Sequence, residues 1–228
     1  ADCGRAIKIP DNNMDFVTAS TLPIALATMH NAVITIGNFT KGKTILIQGA
    51  SSGVGLMGLQ IAKNIGAKLV IGTSTKPEKF DKLKSIGADL VVNSKDQDWV
   101  DQVLQATNNE GVDLIIDQLS GYTINDNMKA SKVKGTIVNV GRLAGGNAEL
   151  NCDLHALRRI NYRGVTFRTR SISEIRDVYS TMWSDLGNLV IKGKLSLPIE
   201  KIFEFDDVAD ALSCMRENQH FGKLILKV

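Results

Sequence analysis

A short β-branched run that stops at a glycine and gives way to a helical pattern constrains this chain more than any other feature. Lys43-Thr44-Ile45-Leu46-Ile47-Gln48 leads into Gly49-Ala50-Ser51-Ser52-Gly53-Val54-Gly55. A strand, a tight turn of small residues and a helix N-terminus make a ready anion site, because free backbone N–H groups and the helix dipole both favour a phosphate. This is the first βα unit of a dinucleotide-binding fold. Two registers fit it. Gly53-Val54-Gly55-Leu56-Met57-Gly58 matches G-x-G-x-x-G literally, whereas a turn placed directly after Gln48 selects residues 50–55, with Ala50 and Ser52 at two glycine places. The second is preferred, since the turn must sit at the strand end. Val54, Met57, Ile61 and Ile65 share one helical face, and Lys68-Leu69-Val70-Ile71 reads as the next buried strand.

The same residues admit a rival. Gly49-Ala50-Ser51-Ser52-Gly53 also matches G-x-S-x-G, the nucleophile elbow of a serine hydrolase with Ser51 as nucleophile. Asp117 with His155, or Asp153 with His220, would complete a triad. An elbow strand normally lies deep in a sheet already several strands long. Only one helix is predicted before Lys43, so the hydrolase is the minor reading.

The rest of the chain extends a strand–helix alternation. Strands are expected at 44–48, 68–72, 90–93, 112–117, 135–140 and 163–168, and helices at 18–36, 54–65, 77–86, 96–107, 121–131 and 171–192. That pattern argues α/β: a doubly wound, six-stranded parallel sheet with helices on both faces. Ser171-Ile172-Ser173-Glu174 is a capping box opening a helix with Ile172, Ile175, Tyr179, Met182, Leu186 and Leu189 on one face. Residues 1–15 read as a strand remnant and a loop around Pro10 and its polar neighbours. Residues 193–228 read as strand, helix and strand. These two ends are expected to be the rim of a second domain, giving a division into 1–17, 18–192 and 193–228.

The formal charge of +3 over 228 residues, with scattered lysines, argues against nucleic acid or membrane binding. No apolar stretch is expected to reach membrane-spanning length, and no secretory signal opens the chain. Cys3, Cys152 and Cys214 lie far apart without a C-x-x-C, which suits buried thiols in a reducing, cytoplasmic setting and no metal site. The second strand ends Thr73-Ser74-Thr75-Lys76, without the acid that an NAD site places on the ribose. Ser74, Thr75, Lys76 and Lys79 offer donors and charge for a 2′-phosphate. NADP(H) is therefore expected over NAD(H).

These segments together resemble the zinc-free, quinone-oxidoreductase-like branch of the medium-chain dehydrogenase/reductases. They are Leu22-Pro23 onward to Val33, the fingerprint loop, Lys84-Ser85-Ile86-Gly87-Ala88-Asp89, Gly111-Val112-Asp113 with Asp117, and residues 135–141. Gly193-Lys194-Leu195, residues 206–212 and Gly222-Lys223-Leu224 complete the set. The resemblance implies a two-domain enzyme, usually a homodimer, moving hydride from NADPH to a quinone or an activated enone. It implies that Gly53 and Val54, next to Ser52, meet the pyrophosphate, and that Ser74 and Lys79 hold the 2′-phosphate. Thr28 would lie near the nicotinamide, Gly141 and Arg142 would flank it, and Ser94 would stand where relatives place an aromatic ring beside the cofactor. Residues 165–170 would be an edge strand that pairs across a dimer. Leu26 stands where a glycine is common and could crowd the nicotinamide end. Most of the family's N-terminal GroES-like domain is missing, so no catalytic residue is named. His30, His155, His220 and Tyr122 are read as packing residues. A non-catalytic NADPH-binding module is the alternative function.

Overall fold

β1 (Thr44–Ile47), β2 (Leu69–Thr73), β3 (Leu90–Val92), β4 (Val112–Asp117), β5 (Ser131–Asn139) and β6 (Asn161–Gly164) form one parallel sheet in the order β3-β2-β1-β4-β5-β6. This is the doubly wound arrangement expected from the sequence. The computed structural model describes residues 2–10, 14–217 and 220–228. Asp11, Asn12 and Asn13, which carry part of the expected loop after Pro10, lie outside the described residues.

Both faces of the sheet are covered, so its strands read as continuous apolar runs rather than alternating ones. Ile45, Ile47, Val70, Leu114 and Val138 face one layer: α2 (Pro23–Met29), α3 (Gly53–Ile65), α4 (Phe80–Ile86) and α8 (Ile172–Ile191), preceded by α1 (Phe16–Ser20). Leu46, Ile71, Ile115 and Ile137 face the other: α5 (Trp99–Ala106), α6 (Ile124–Ala130) and α7 (Cys152–Arg158). Each fully buried Leu or Ile contributes roughly 1.5–3 kcal/mol, and among the strands the central β1 and β4 carry most of them.

Several expectations need correction. The helix expected over 18–36 is broken: α1 and α2 are followed by a π-helical run, His30–Ile36. The run Phe16–Ile36 is long and apolar enough by composition to cross a membrane, contrary to expectation, but 56% of its apolar window is buried, and α2 packs on α3 and α8 as a core helix does. The N-terminal strand remnant is instead a 3-10 turn, Cys3–Arg5, tied to α8 by Arg176 Nη2 on Asp2 Oδ1 at 2.7 Å. Helix α7 has no counterpart among the expected elements. The capping box is present, but the buried face of α8 is Val178, Met182, Leu186 and Val190, with Ile172 exposed. Cys3 and Cys152 are exposed and Cys214 is half-buried, not the buried thiols expected; Cys152 opens α7, a helix with no buried residue.

The sixth strand lies at Asn161–Gly164, ahead of the expected 163–168. Residues 165–170 leave the edge: Val165 N–H bonds Asn139 O at 2.9 Å, and the chain then turns inward. Arg170 fixes that turn through Nε to Thr166 O (2.9 Å), Nη2 to Asn31 Oδ1 (2.8 Å) and its stacking on Phe167.

After α8 the chain makes β7 (Ile199–Glu204), α9 (Val208–Arg216) and β8 (Lys223–Lys227), a separate two-stranded parallel sheet. It touches the large sheet's first turn through a bridge between Ser52 and Gly222.

Candidate functional site

The strand order reverses between β1 and β4, so a crevice opens beyond their carboxyl ends. The loop filling it is held by buried polar side chains rather than by apolar packing. Gln48, fully buried, donates Nε2 to Asn127 Oδ1 (2.7 Å) and accepts from Thr73 Oγ1 (2.8 Å). Thr73 Oγ1 in turn accepts Gly49 N–H at 3.0 Å. Gln118, from the end of β4, donates Nε2 to Gln48 O (2.9 Å), and its Oε1 stands 3.0 Å from Ser52 Oγ. Each such bond contributes about 1 kcal/mol net, and far more is lost if one buried partner is stranded. The network ties the loop to β2, β4 and α6 at once.

Gly49 turns the chain at φ +67°, directly after Gln48, and α3 starts at Gly53 with Ser52 as N-cap, its Oγ accepting Gly55 N–H at 3.0 Å. The turn therefore follows the strand immediately, as the preferred register requires. A Cβ at Gly55 would stand 2.7 Å from Ala50 Cα and from the carbonyl oxygens of Gly49 and Ala50, so helix and turn can approach only at glycine. Ser52 is committed to the cap. The N–H groups of Gly53 and Val54 have no intrahelical acceptor, as in any first turn.

Lys223 joins the site although no motif placed it there. A Cβ at Gly53 would meet Lys223 Cε at 2.8 Å, so the lysine stem lies across the start of α3. The bridge between Ser52 and Gly222, and Lys223 N–H on Pro198 O (2.9 Å), set that position. Burial pushes the Lys223 ammonium below its usual range. A glycine–lysine pair opening a terminal apolar strand is the only sequence signal for it.

Ser74 and Lys79 stand at the β2 end, both buried. Ser74 Oγ accepts Lys76 N–H at 3.2 Å. Lys79 Nζ donates to His220 O at 2.8 Å, and desolvation lowers its pKa, with Lys76 adding to the effect. Gly141 joins the loop cluster from β5: a Cβ there would lie 2.5 Å from Gln118 O. Arg142 beside it is exposed, reaching Val140 O at 3.4 Å. Two assigned residues stand apart. Ser94 is buried beyond β3, two strands from the loop. Thr28 lines a separate apolar cleft of about 350 Å³ with Ile24, Ala27, Phe167, Ile175 and Tyr179. Leu26 is buried in the core, so it crowds nothing in the crevice.

Asp117 sits at the base of this cluster. Its Oδ1 accepts the N–H groups of Leu119 and Ser120, both at 2.9 Å, and holds Ser120 at φ +56°. Burial pushes its pKa up, partly offset by those two N–H groups. It therefore orders a loop and is not the acid of a triad with Ser51. His30 is also structural, fully buried with Nε2 2.8 Å from Asp185 Oδ2.

With this geometry in view, residues 53–184 match the model of the zinc-binding dehydrogenase family. The chain belongs to that family. It is thereby a member of the medium-chain dehydrogenase/reductases, whose members are NAD(P)-dependent oxidoreductases. It is 28% identical to the highly reducing polyketide synthase gloL of Glarea lozoyensis, matched over 98% of this chain and 9% of the synthase. It is 27% identical to a phenolphthiocerol/phthiocerol polyketide synthase of Mycobacterium tuberculosis, over 97% of this chain and 10% of that protein. The chain thus spans about a tenth of these curated relatives. Among solved structures it superposes on the CurK enoyl reductase with a TM-score of 0.85 (25% identity, covering 99% of this chain and 66% of that one). An NAD-dependent alcohol dehydrogenase gives 0.85 (26% identity, 96% and 61%). The quinone oxidoreductase of Pseudomonas syringae pv. Tomato DC3000, at 24% identity over 97% and 67%, gives 0.86 and shares the fold. Despite the family's name, no group of three or more His, Cys, Asp or Glu suited to a metal occurs among the described residues.

Proposed function

We propose that this chain is the dinucleotide-binding part of a zinc-independent, NADPH-dependent oxidoreductase that reduces a quinone or an activated enone. The observation that carries the cofactor choice is the end of β2, where Thr73-Ser74-Thr75-Lys76 replaces a ribose-binding acid and Ser74 and Lys79 lie buried alongside. A carboxylate there would repel a 2′-phosphate; hydroxyls and cations attract it. The polyketide synthase relatives and the likeness to an enoyl reductase favour the enone over the quinone.

The crevice fits a dinucleotide. The α3 N-terminus offers two N–H groups, and the Lys223 stem, packed where a Cβ of residue 53 would stand, adds a partly desolvated cation at the same point. The cofactor, when bound, supplies a hydride for the electrophilic carbon of the acceptor. The residues of this chain bind and orient it: Gly53, Val54 and Lys223 at the pyrophosphate, Ser74 and Lys79 at the 2′-phosphate, and Gly141 and Arg142 beyond β5. Thr28 borders an apolar cleft suited to the acceptor end, and Ser94 stays remote from the loop. The proton that completes reduction of an enone comes from water or from residues outside this chain. The ends, 1–17 and 193–228, belong in this reading to a second, substrate-shaping domain. The protein is cytoplasmic and homodimeric, pairing at the open edge of the large sheet beside residues 165–170.

Calorimetric titration with NADPH and NADH tests the reading. NADPH is expected to bind tighter by on the order of tenfold, which is about 1.4 kcal/mol. Equal affinities would remove the 2′-phosphate pocket from the account.

A further inference from the structure

The edge of the sheet opposite the crevice carries a feature that cofactor binding does not use. Lys41, Lys43, Lys68, Lys132 and Lys134 precede or open β1, β2 and β5. Against them stand two carboxylates, Glu110 and Asp113. These seven side chains carry an excess of three positive charges. Both carboxylates are already engaged. Asp113 Oδ2 accepts Thr44 N–H at 2.8 Å and Thr44 Oγ1 at 2.9 Å, and Glu110 pairs with Lys132 at 2.5 Å. Lys43, Lys68 and Lys134 make no ion pair among the described residues; Lys43 Nζ reaches only the Asn38 carbonyl, at 3.5 Å.

The surface is shaped as well as charged. Two depressions of about 290 and 370 Å³ adjoin and share Lys43, Asp113 and Lys132. The β4–β5 register shifts between Val112 and Leu114, and Lys134 adopts φ +66°, which throws Val133 outward to 44% exposure between its two flanking lysines. Asn38 and Asn108 also have positive φ, so three of the six non-glycine residues in that region among the described residues line these two depressions. Backbone held in sparsely populated conformations concentrates where a surface has work to do.

We propose that this edge docks an acidic segment of a partner protein. Strands about 4.8 Å apart spread the lysines over roughly 15 Å across β2, β1, β4 and β5. Lysines spread over four strands match a row of carboxylates better than a single phosphate, and exposed Val133 supplies an apolar anchor at the β5 end of the row. The test uses a fluorescein-labelled oligoglutamate peptide with one leucine near its end, read by anisotropy against the intact chain. Binding should weaken as salt rises from about 50 to 200 mM. The variant Lys43→Glu/Lys68→Glu/Lys134→Glu should lose affinity by on the order of tenfold while binding NADPH as before. The control Lys84→Glu/Lys192→Glu/Lys194→Glu carries the same charge change elsewhere and should retain the peptide. Equal loss in both variants would show attraction to net charge alone and overturn the proposal. So would displacement of the peptide by equimolar tripolyphosphate with amide shifts at the same residues, since that identifies a small-anion site.

Discussion

In the proposed function two lysines at the crevice would divide the cofactor between them. Lys79 stands at the β2 end, where a 2′-phosphate, carried by NADPH alone, would sit; Lys223 lies over Gly53, where the pyrophosphate common to both dinucleotides would sit. Lys79→Ala should therefore weaken NADPH by roughly tenfold, about 1.4 kcal/mol, and leave NADH almost unchanged. Lys223→Ala should weaken both cofactors by similar factors. Paired titrations of the two variants decide it: a loss for both cofactors in Lys79→Ala would mean that its bond to His220 O, which ties down the tail, is its main role. Both residues are positioned by long-range contact, but only one is legible in the sequence. Lys79 follows a recognisable strand end. Lys223 lies far along the chain from Gly53, and nothing local to it signals a phosphate.

At the scale of elements, the N-cap of α3 joins fold to site. Ser52→Ala removes the acceptor for Gly55 N–H and the hydroxyl beside Gln118 Oε1. Loss of such a cap costs about 1 kcal/mol, which in a domain of this size lowers Tm by roughly 2–4 °C. The loop should loosen with it, so NADPH affinity should fall as well. Thermal unfolding with and without cofactor checks both; an unchanged Tm would show that the Gln48–Gln118 network alone holds the turn.

The central elements were legible because burial leaves a mark on sequence. β1 (Thr-Ile-Leu-Ile) and the Leu114-Ile115-Ile116 stretch of β4 are apolar runs rich in β-branched residues, and Gly49 and Gly66 punctuate strand and helix at positive φ. The elements missed or misplaced lack that mark. Helix α7 has no buried residue, and all four residues of β6 are exposed, so neither shows a period. The apolar Val165 and Phe167 drew the sixth strand too far along the chain, because their burial comes from a turn against α2 and α8 rather than from the sheet. The loop-holding glutamines were equally silent. Gln48 and Gln118 end apolar runs, and only their buried hydrogen bonds reveal that they organise the site.

For the whole molecule, the proposed dimer rests on the open edge at β6. β3 is short, but β6 presents a row of exposed residues with one unpaired backbone flank. Such an edge is a template for another strand, and a second copy meeting it in antiparallel fashion would make one continuous twelve-stranded sheet with two-fold symmetry. The inward turn at 165–170 keeps that flank uncovered, because Arg170 draws the chain toward Asn31 instead of across the strand. Sedimentation velocity should find a species of twice the chain's mass. Gly164→Pro removes an outward-facing backbone donor from that flank, at a position with room for a side chain, and should give a monomer that retains the wild-type far-ultraviolet spectrum and NADPH affinity, since the crevice between β1 and β4 lies two strands away. A wild-type chain sedimenting as a monomer at tens of micromolar would instead assign the edge to cover from a different domain.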